Sequence, residues 1–258
     1  MTLATLSTRD RATGTVDFSL EFLKSRPLLA CLPPVAVARV AQECRMLSVE
    51  RRAHLMCRDA QVDWLGFLVS GKAQMSCESS DGREVGLRIL CEGDPFGELS
   101  VLDGRPQVAD IVALTNVRVA RIPGQVVREA LETYPVLGVQ FLRHCASIIR
   151  HMTAMRIVQS HPHAVARLCV LLRLLAADSP YRDVIATVPT HHQMALMLNT
   201  SRETVCRTIR LLRTRGLIAL RGTQLRIIDV QALEDVCTGN HMEVPSTPGR
   251  YVPEVISA

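Results

Sequence analysis

The sequence predicts an α+β fold: an N-terminal antiparallel β-roll of the jelly-roll type, a long helix, and a C-terminal module of short helices with a β-hairpin. Three patterns predict it. Short apolar runs separated by glycine and acidic turns extend from about residue 33 to 123. The apolar spacing becomes helical over 125–159, and two short helical patterns followed by a hairpin pattern occupy 190–229. A chain of 258 residues is long enough for two domains.

Composition narrows the classes of protein that fit. Apolar residues make up 48% and charged residues 21%, which is typical of a globular chain. Aromatic residues are only 3%, which argues against aromatic platforms for sugars or single-stranded nucleic acid. The most apolar stretch, 165–177, is too short to cross a membrane, and no secretion signal precedes it. Nine cysteines without a CxxC pair or zinc spacing predict reduced thiols in a cytoplasmic protein.

The two ends of the chain and the roll are delimited by simple signals. The polar, aperiodic first residues predict a loose tail over 1–20, and three prolines predict another over 238–258. Between them, turn signals such as Ser-Asp-Gly at 80–82 predict a roll over 21–124.

The segment 125–160 predicts a dimerisation helix and a hinge, with a helix of about 20 residues that neither proline nor glycine interrupts after Gly138. Apolar side chains recur at three- and four-residue steps, among them Val139, Leu142 and Ile149. Such a stripe needs a partner surface, which is either the roll of the same chain or the same helix of a second subunit. Pro162 ends the helix because proline disfavours helical backbone in the residue before it.

The segment 161–237 predicts a winged helix-turn-helix. A helix over about 191–198 is followed by Asn199, which tolerates left-handed backbone, and by Ser201, which suits an N-cap. A second helix starts near Arg202 and ends at Gly216. Strand patterns on either side of Gly222 then form the wing.

The second helix of this module has two chemically different faces. Val205, Ile209 and Leu212 cluster on one side. The opposite side carries polar, charged and thiol groups, namely Arg202, Glu203, Cys206, Arg207 and Arg210. Segment 190–226 holds seven arginines and one acid, a net +6, whereas the rest of the chain carries −1. This concentration of charge predicts double-stranded DNA as the partner. No P-loop, G-x-S-x-G run or nucleophile–base constellation predicts an enzyme.

The run Ser-Arg-Glu-Thr-Val-Cys-Arg at 201–207 resembles the recognition-helix motif of the Crp/Fnr superfamily of bacterial transcription regulators. Gly222 and the run FGELSVLDGRP at 96–106 are similar to that family too, and the resemblance spans about 30–235. It implies a homodimeric, sequence-specific regulator whose roll is a sensor domain, whose long helix dimerises, and whose partners are DNA and RNA polymerase.

The resemblance also implies roles for individual residues in DNA binding. Arg202 and Arg207 would each read a guanine, and Glu203 would accept a hydrogen bond from a cytosine amino group. The phosphates would be contacted by other residues of the module, namely Thr204, Arg210 and Arg221, with Ser201 at the helix start. The pattern implies a TGTGA-like half-site in an inverted repeat, with recognition helices about 34 Å apart.

The sensor site matches the family only in part. Gly97, Glu98 and Leu99 match the run that caps a short helix and holds a cyclic phosphate. The Arg-Ser/Thr pair of the family is replaced by Gln107 and Val108, which cannot supply a guanidinium and a hydroxyl. Two further residues are candidates for ligand contact: Arg105 as a substitute cation and Thr153 as a base-contacting hydroxyl.

Cyclic AMP in the family's usual pose is therefore disfavoured. A cyclic dinucleotide, an unrelated small ligand and the absence of any effector stay open, as does thiol redox sensing. His144, Cys145 and His151 on the long helix are weak candidates for metal or haem ligands. The alternative function is a cyclic-nucleotide-binding signalling module that regulates a partner protein, in which the basic winged module would have no role.

Overall fold

The computed structural model describes residues 15–238 apart from 80–81, 83, 178–182 and 187. The chain divides into two compact units, one ending at Arg150 and the other beginning at His151. The α+β architecture is the predicted one: two antiparallel sheets come first, then a long helix, then a helix-turn-helix with a wing.

The first unit begins with helices that sequence reasoning did not predict. Helix α1 spans Thr15–Lys24 and α2 spans Pro34–Glu43. The loose tail predicted over 1–20 is therefore wrong at its end, while residues 1–14 lie outside the described residues. The physical reason is burial: Phe22 and Leu23 belong to the core of this unit and hold α1 against it.

Two four-stranded sheets form the predicted roll. The elements are β1 Arg45–Val49, β2 His54–Met56, β3 Trp64–Ser70, β4 Ala73–Glu78, β5 Glu84–Leu90, β6 Pro95–Phe96, α3 Glu98–Asp103, β7 Asp110–Ala113 and β8 Val117–Pro123. One sheet has the order β1-β8-β3-β6 and the other β2-β7-β4-β5, with antiparallel pairing throughout. Only Gly82 of the predicted 80–82 turn lies within the described residues, but β4 and β5 on either side of it pair as a hairpin.

Strand β3 separates two apolar cores. Leu65 and Phe67 face helices α1 and α2, whereas Leu68 faces the interior of the roll with Phe96. Gly66 makes this packing possible, because a Cβ atom there would lie 2.5 Å from the Phe96 ring. Strand β3 is consequently buried on both faces and fixes the position of α3, which follows β6 after a single residue.

The segment predicted over 125–160 contains two helices. Helix α4 spans Gly124–Thr133 and α5 spans Pro135–Ser160, so the long helix begins a few residues before the expected start after Gly138. Tyr134 leaves helical backbone because it precedes Pro135. Leu137 and Phe141 bury the first turns of α5 in the core of the first unit.

In its described residues, the second unit combines four helices with one small sheet after the end of α5. Its elements are α6 Ala164–Ala177, β9 Val184–Ile185, α7 His191–Met197, α8 Arg202–Thr214, β10 Ile218–Arg221, β11 Gln224–Ile227 and α9 Val230–Thr238. The strands form an antiparallel sheet in the order β10-β11-β9. Beyond Thr238, the tail predicted over 238–258 lies outside the described residues. Across the described residues, no helix is both long enough and apolar enough to serve as a membrane span.

Candidate nucleic-acid interface

The turn between α7 and α8 is fixed by hydrogen bonds at both helix starts. Thr190 and Gln193 form a reciprocal capping box at the start of α7. Asn199 adopts the predicted left-handed conformation with φ +48°, and the Thr200 amide donates to the Ala195 carbonyl. The Ser201 hydroxyl accepts from the Thr204 amide at 3.1 Å, so Ser201 is the N-cap of α8.

The inner face of α8 is fully packed. The predicted apolar residues Val205, Ile209 and Leu212 are each less than 5% exposed. Thr208 is buried beside them, and its hydroxyl donates to the Thr204 carbonyl at 2.9 Å. Sequence reasoning missed Thr208, although its place between Val205 and Ile209 on the helical wheel signals burial. The packed inner face makes α8 a rigid support for the side chains on its other side.

The outer face of α8 is open to solvent. Its exposed side chains are the five predicted from helical spacing: Arg202, Glu203, Cys206, Arg207 and Arg210. Within the described part of the chain, Arg202, Arg207 and Arg210 form no ion pair, so their charge is available to an external anion.

Thr204 occupies an intermediate position at the start of α8. It is half-buried, and its hydroxyl lies 2.8 Å from the Ser201 hydroxyl and 3.5 Å from an Arg207 guanidinium nitrogen. Ser201, Thr204 and Arg207 therefore form one polar group at the exposed N-terminus of α8, where unsatisfied amides and the helix dipole favour a phosphate.

On the wing, Arg221 is exposed to solvent, whereas Arg226 pairs with an acidic residue of the same chain. Gly222 has φ +58° at the tip of the β10–β11 hairpin, next to the exposed Arg221. Arg226, which sequence analysis counted among the basic residues, donates from Nε to Asp183 Oδ2 at 3.0 Å and ties β11 to the start of β9. Sequence reasoning missed Asp183 because the pair joins residues distant in the chain.

The predicted sensor residues of the first unit differ in burial and in partners. Gly97 has φ +81° where a Cβ atom would lie 2.8 Å from the Trp64 carbonyl oxygen, and it places Glu98 at the buried start of α3. Four others are exposed to solvent. Leu99 and Val108 are exposed, Arg105 is exposed 3.9 Å from Asp103, and Thr153 is exposed on α5. Gln107 is buried, and its side-chain oxygen accepts from the Ser100 hydroxyl at 3.2 Å.

The structure brings one further residue to Glu98. His144 Nε2 on α5 lies 3.5 Å from Glu98 Oε1, and the carboxylate is only 4% exposed. Burial raises the pKa of the neighbouring Cys145 thiol, and the negative charge of Glu98 raises it further. The sequence alone indicates His144 only as a weak candidate for a metal or haem ligand. Its spacing from Leu137 and Phe141, seven and three residues, is the signal that it faces the roll.

No metal centre is visible in the described residues. Within those ranges no three His, Cys, Asp or Glu side chains come together in a group that could hold a metal ion. The eight cysteines whose side chains are described are all free thiols.

Comparisons with known proteins agree with this two-part organisation. A family model described as "Cyclic nucleotide-binding domain" matches residues 46–134, and one described as "Crp-like helix-turn-helix domain" matches 166–236. The CRP-like cAMP-activated global transcriptional regulator of Mycobacterium tuberculosis is 27% identical over 219 residues, covering 83% of this chain and 97% of that protein.

Two solved structures share the fold. FixK2 from Bradyrhizobium japonicum superposes with a TM-score of 0.63 at 18% identity, covering 74% of this chain and 96% of that one. A CooA variant from Carboxydothermus hydrogenoformans gives a TM-score of 0.64 at 19% identity, covering 85% and 95%. At these identities the likeness concerns the fold alone.

Proposed function

Since this chain belongs to the Crp/Fnr superfamily of bacterial transcription regulators, we propose that it is a homodimer that binds an inverted repeat with TGTGA-like half-sites. The observation that carries the proposal is the outer face of α8, where three arginines that form no ion pair with any described residue flank Glu203 above a packed inner face. Such a helix presents planar donors and one acceptor to the major groove.

Base reading and phosphate contact fall to different residues on this surface. Arg202 and Arg207 present bidentate donors suited to guanine O6 and N7, and Glu203 presents an acceptor suited to cytosine N4. Residues at the edges of the surface fix the register on the phosphates, namely Thr204 and Arg210 on α8, Arg221 on the wing and Ser201 at the cap.

The dimer would form through the exposed apolar stripe of α5. Leu142, Ile149 and Met152 are each more than half exposed, and Val139 is 46% exposed. A helix seldom leaves so many large apolar side chains in water unless a second surface covers them. Since the stripe repeats along one helix, a second copy of α5 fits it. The bound dimer would act on RNA polymerase in the bacterial cytoplasm.

The test is selection of duplex sites from a random library, followed by titration of the selected site and of random DNA with Arg202→Ala. We expect a loss of about 1–3 kcal/mol on the selected site and relaxed preference at one base pair. Arg45→Ala, which changes an exposed arginine of β1 in the roll, is the control and leaves both affinities unchanged. Equal losses by Arg202→Ala on selected and random DNA would contradict base reading by this residue.

A further inference from the structure

We propose that no cyclic nucleotide gates this protein, and that the contact between Glu98 and His144 takes the ligand's place in holding α5 on the roll. The proposal rests on the proposed function, because one of its readouts is DNA binding. It concerns regulation and is carried by three observations on the first unit.

The first observation is that, among the described residues, no buried cation occupies the place of the family's phosphate-binding arginine. Gln107 occupies the place of the family's arginine, and its side-chain oxygen is already engaged by Ser100 in the core. Val108 presents an exposed isopropyl group in place of a hydroxyl. A cyclic phosphate carries a full negative charge, and a neutral amide gives much less stabilisation than a bidentate guanidinium.

Two arginines of the first unit lie beside carboxylates. Arg105 has a side chain that is 83% exposed beside Asp103. Arg88, the half-buried arginine of β5, lies 3.2 Å from Asp94 Oδ1. An anion arriving at the start of α3 would meet the buried carboxylate of Glu98, whereas Arg105, the substitute cation, is exposed beside Asp103 rather than buried at this position.

The second observation is the burial of Glu98 against an internal partner. Glu98 Oε2 accepts no hydrogen bond from any described residue, and Oε1 has His144 Nε2 at 3.5 Å. An ionised carboxylate at this depth is costly unless a donor compensates it. His144 Nε2 lies within ion-pair distance of Oε1, although it too forms no hydrogen bond with any described residue, and its side chain is itself only 16% exposed.

The third observation is that the first turns of α5 contact the roll through one helix face, and His144 is the last residue of that face to do so. Leu137, Phe141 and His144 lie on one face at steps of four and three residues, and the first two are buried in the core. The apolar anchors and the polar contact together fix the start of α5 against the roll with residues of this chain alone. A regulator whose long helix is already placed populates its DNA-binding state without a ligand's differential affinity.

The first experiment measures nucleotide binding directly. Full-length protein is titrated by calorimetry with cyclic AMP, cyclic GMP and cyclic di-GMP, and its thermal midpoint is recorded with each. We expect no saturable heat and no shift. Saturable binding that changes affinity for the selected DNA site by roughly tenfold or more overturns the proposal, whichever nucleotide produces it.

The second experiment tests the contact. His144→Ala and Glu98→Gln should each weaken binding to the selected site by roughly fivefold, whereas His144→Gln, which retains a donor, should stay within about twofold of wild type. His54→Ala and Glu92→Gln change exposed residues of the same types and are the matched controls. Full affinity in a folded His144→Ala variant overturns the role of the contact.

A gain-of-function variant tests the same inference in reverse. Gln107→Arg combined with Val108→Thr restores the missing cation and hydroxyl, so it should acquire saturable cyclic AMP binding that wild type lacks. Failure of the two proposals is distinguishable. Wild type that binds no selected duplex under any condition refutes the proposed function, while calorimetry still decides whether a nucleotide binds.

Discussion

The outer face of α8 and the surroundings of Glu98 both match family motifs, yet the structure treats their charges in opposite ways. On α8, Arg202, Arg207 and Arg210 are exposed and have no internal ion pair among the described residues. At the start of α3, Glu98 is buried and faces a histidine of the same chain. A charged group exposed to water can bind another molecule at little cost in desolvation free energy. A buried charged group needs a partner within the protein and is then not available to a ligand. A motif match therefore predicts binding only where the surroundings leave its groups free.

The largest expected effect contrasts the two faces of α8. Ile209→Ala removes a buried side chain and should lower the free energy of unfolding by about 2–5 kcal/mol. Leu211→Ala, at a position that is 38% exposed, is the matched control and should cost far less. Urea titration of both variants measures the difference. Equal losses would mean that the division into a packed and an open face is wrong.

A smaller effect concerns the start of the recognition helix. Ser201→Ala removes the acceptor of the Thr204 amide and should destabilise the protein by about 1 kcal/mol. The same variant should weaken DNA binding, because Thr204 and Arg207 lose a neighbour in their polar group. Ser201→Asn retains a capping oxygen and should restore stability, as followed by thermal melting. Unchanged stability in Ser201→Ala would show that the cap contributes nothing.

A further prediction separates phosphate contact from base reading on the open face. Arg210→Ala should reduce the slope of log affinity against log salt by about one per subunit and weaken selected and random DNA alike. Arg226→Ala removes an arginine held by Asp183 and should leave the slope unchanged. A loss confined to the selected site would instead assign Arg210 to base reading.

The smallest expected effect belongs to an exposed pair on the roll. Arg128 hydrogen-bonds Asp63 and lowers the pKa of that carboxyl below its ordinary value. Because the folded-state pKa is lowered, the pair stabilises the protein above the ordinary pKa of aspartate, and this stabilisation is lost as pH falls through the lowered value. Screening by solvent limits the effect to about 0.5 kcal/mol or less. Urea midpoints between pH 5 and pH 2.5 should fall slightly more steeply for wild type than for Asp63→Asn, and parallel curves would contradict the assignment.

Local patterns predicted the second unit with few errors. The left-handed Asn199, the Ser201 cap and the two faces of α8 all depend on interactions within about four residues, and these are visible in the sequence. The errors lie where tertiary packing decides. Phe22 and Leu23 pack in the core and hold α1 there, although its first residues look like part of a loose tail.

The sequence by itself determined the class of fold, the order of its parts and the charge of the surface offered to DNA, because periodicity, capping and net charge are local or additive properties. Only the tertiary structure decided which charged groups stay free. Arg226 is held by Asp183 and Glu98 faces His144, in each case across more than 40 residues of chain. Contacts between such distant residues depend on how sheets and helices pack, and that packing determines whether a charge meets water, a ligand or the protein itself.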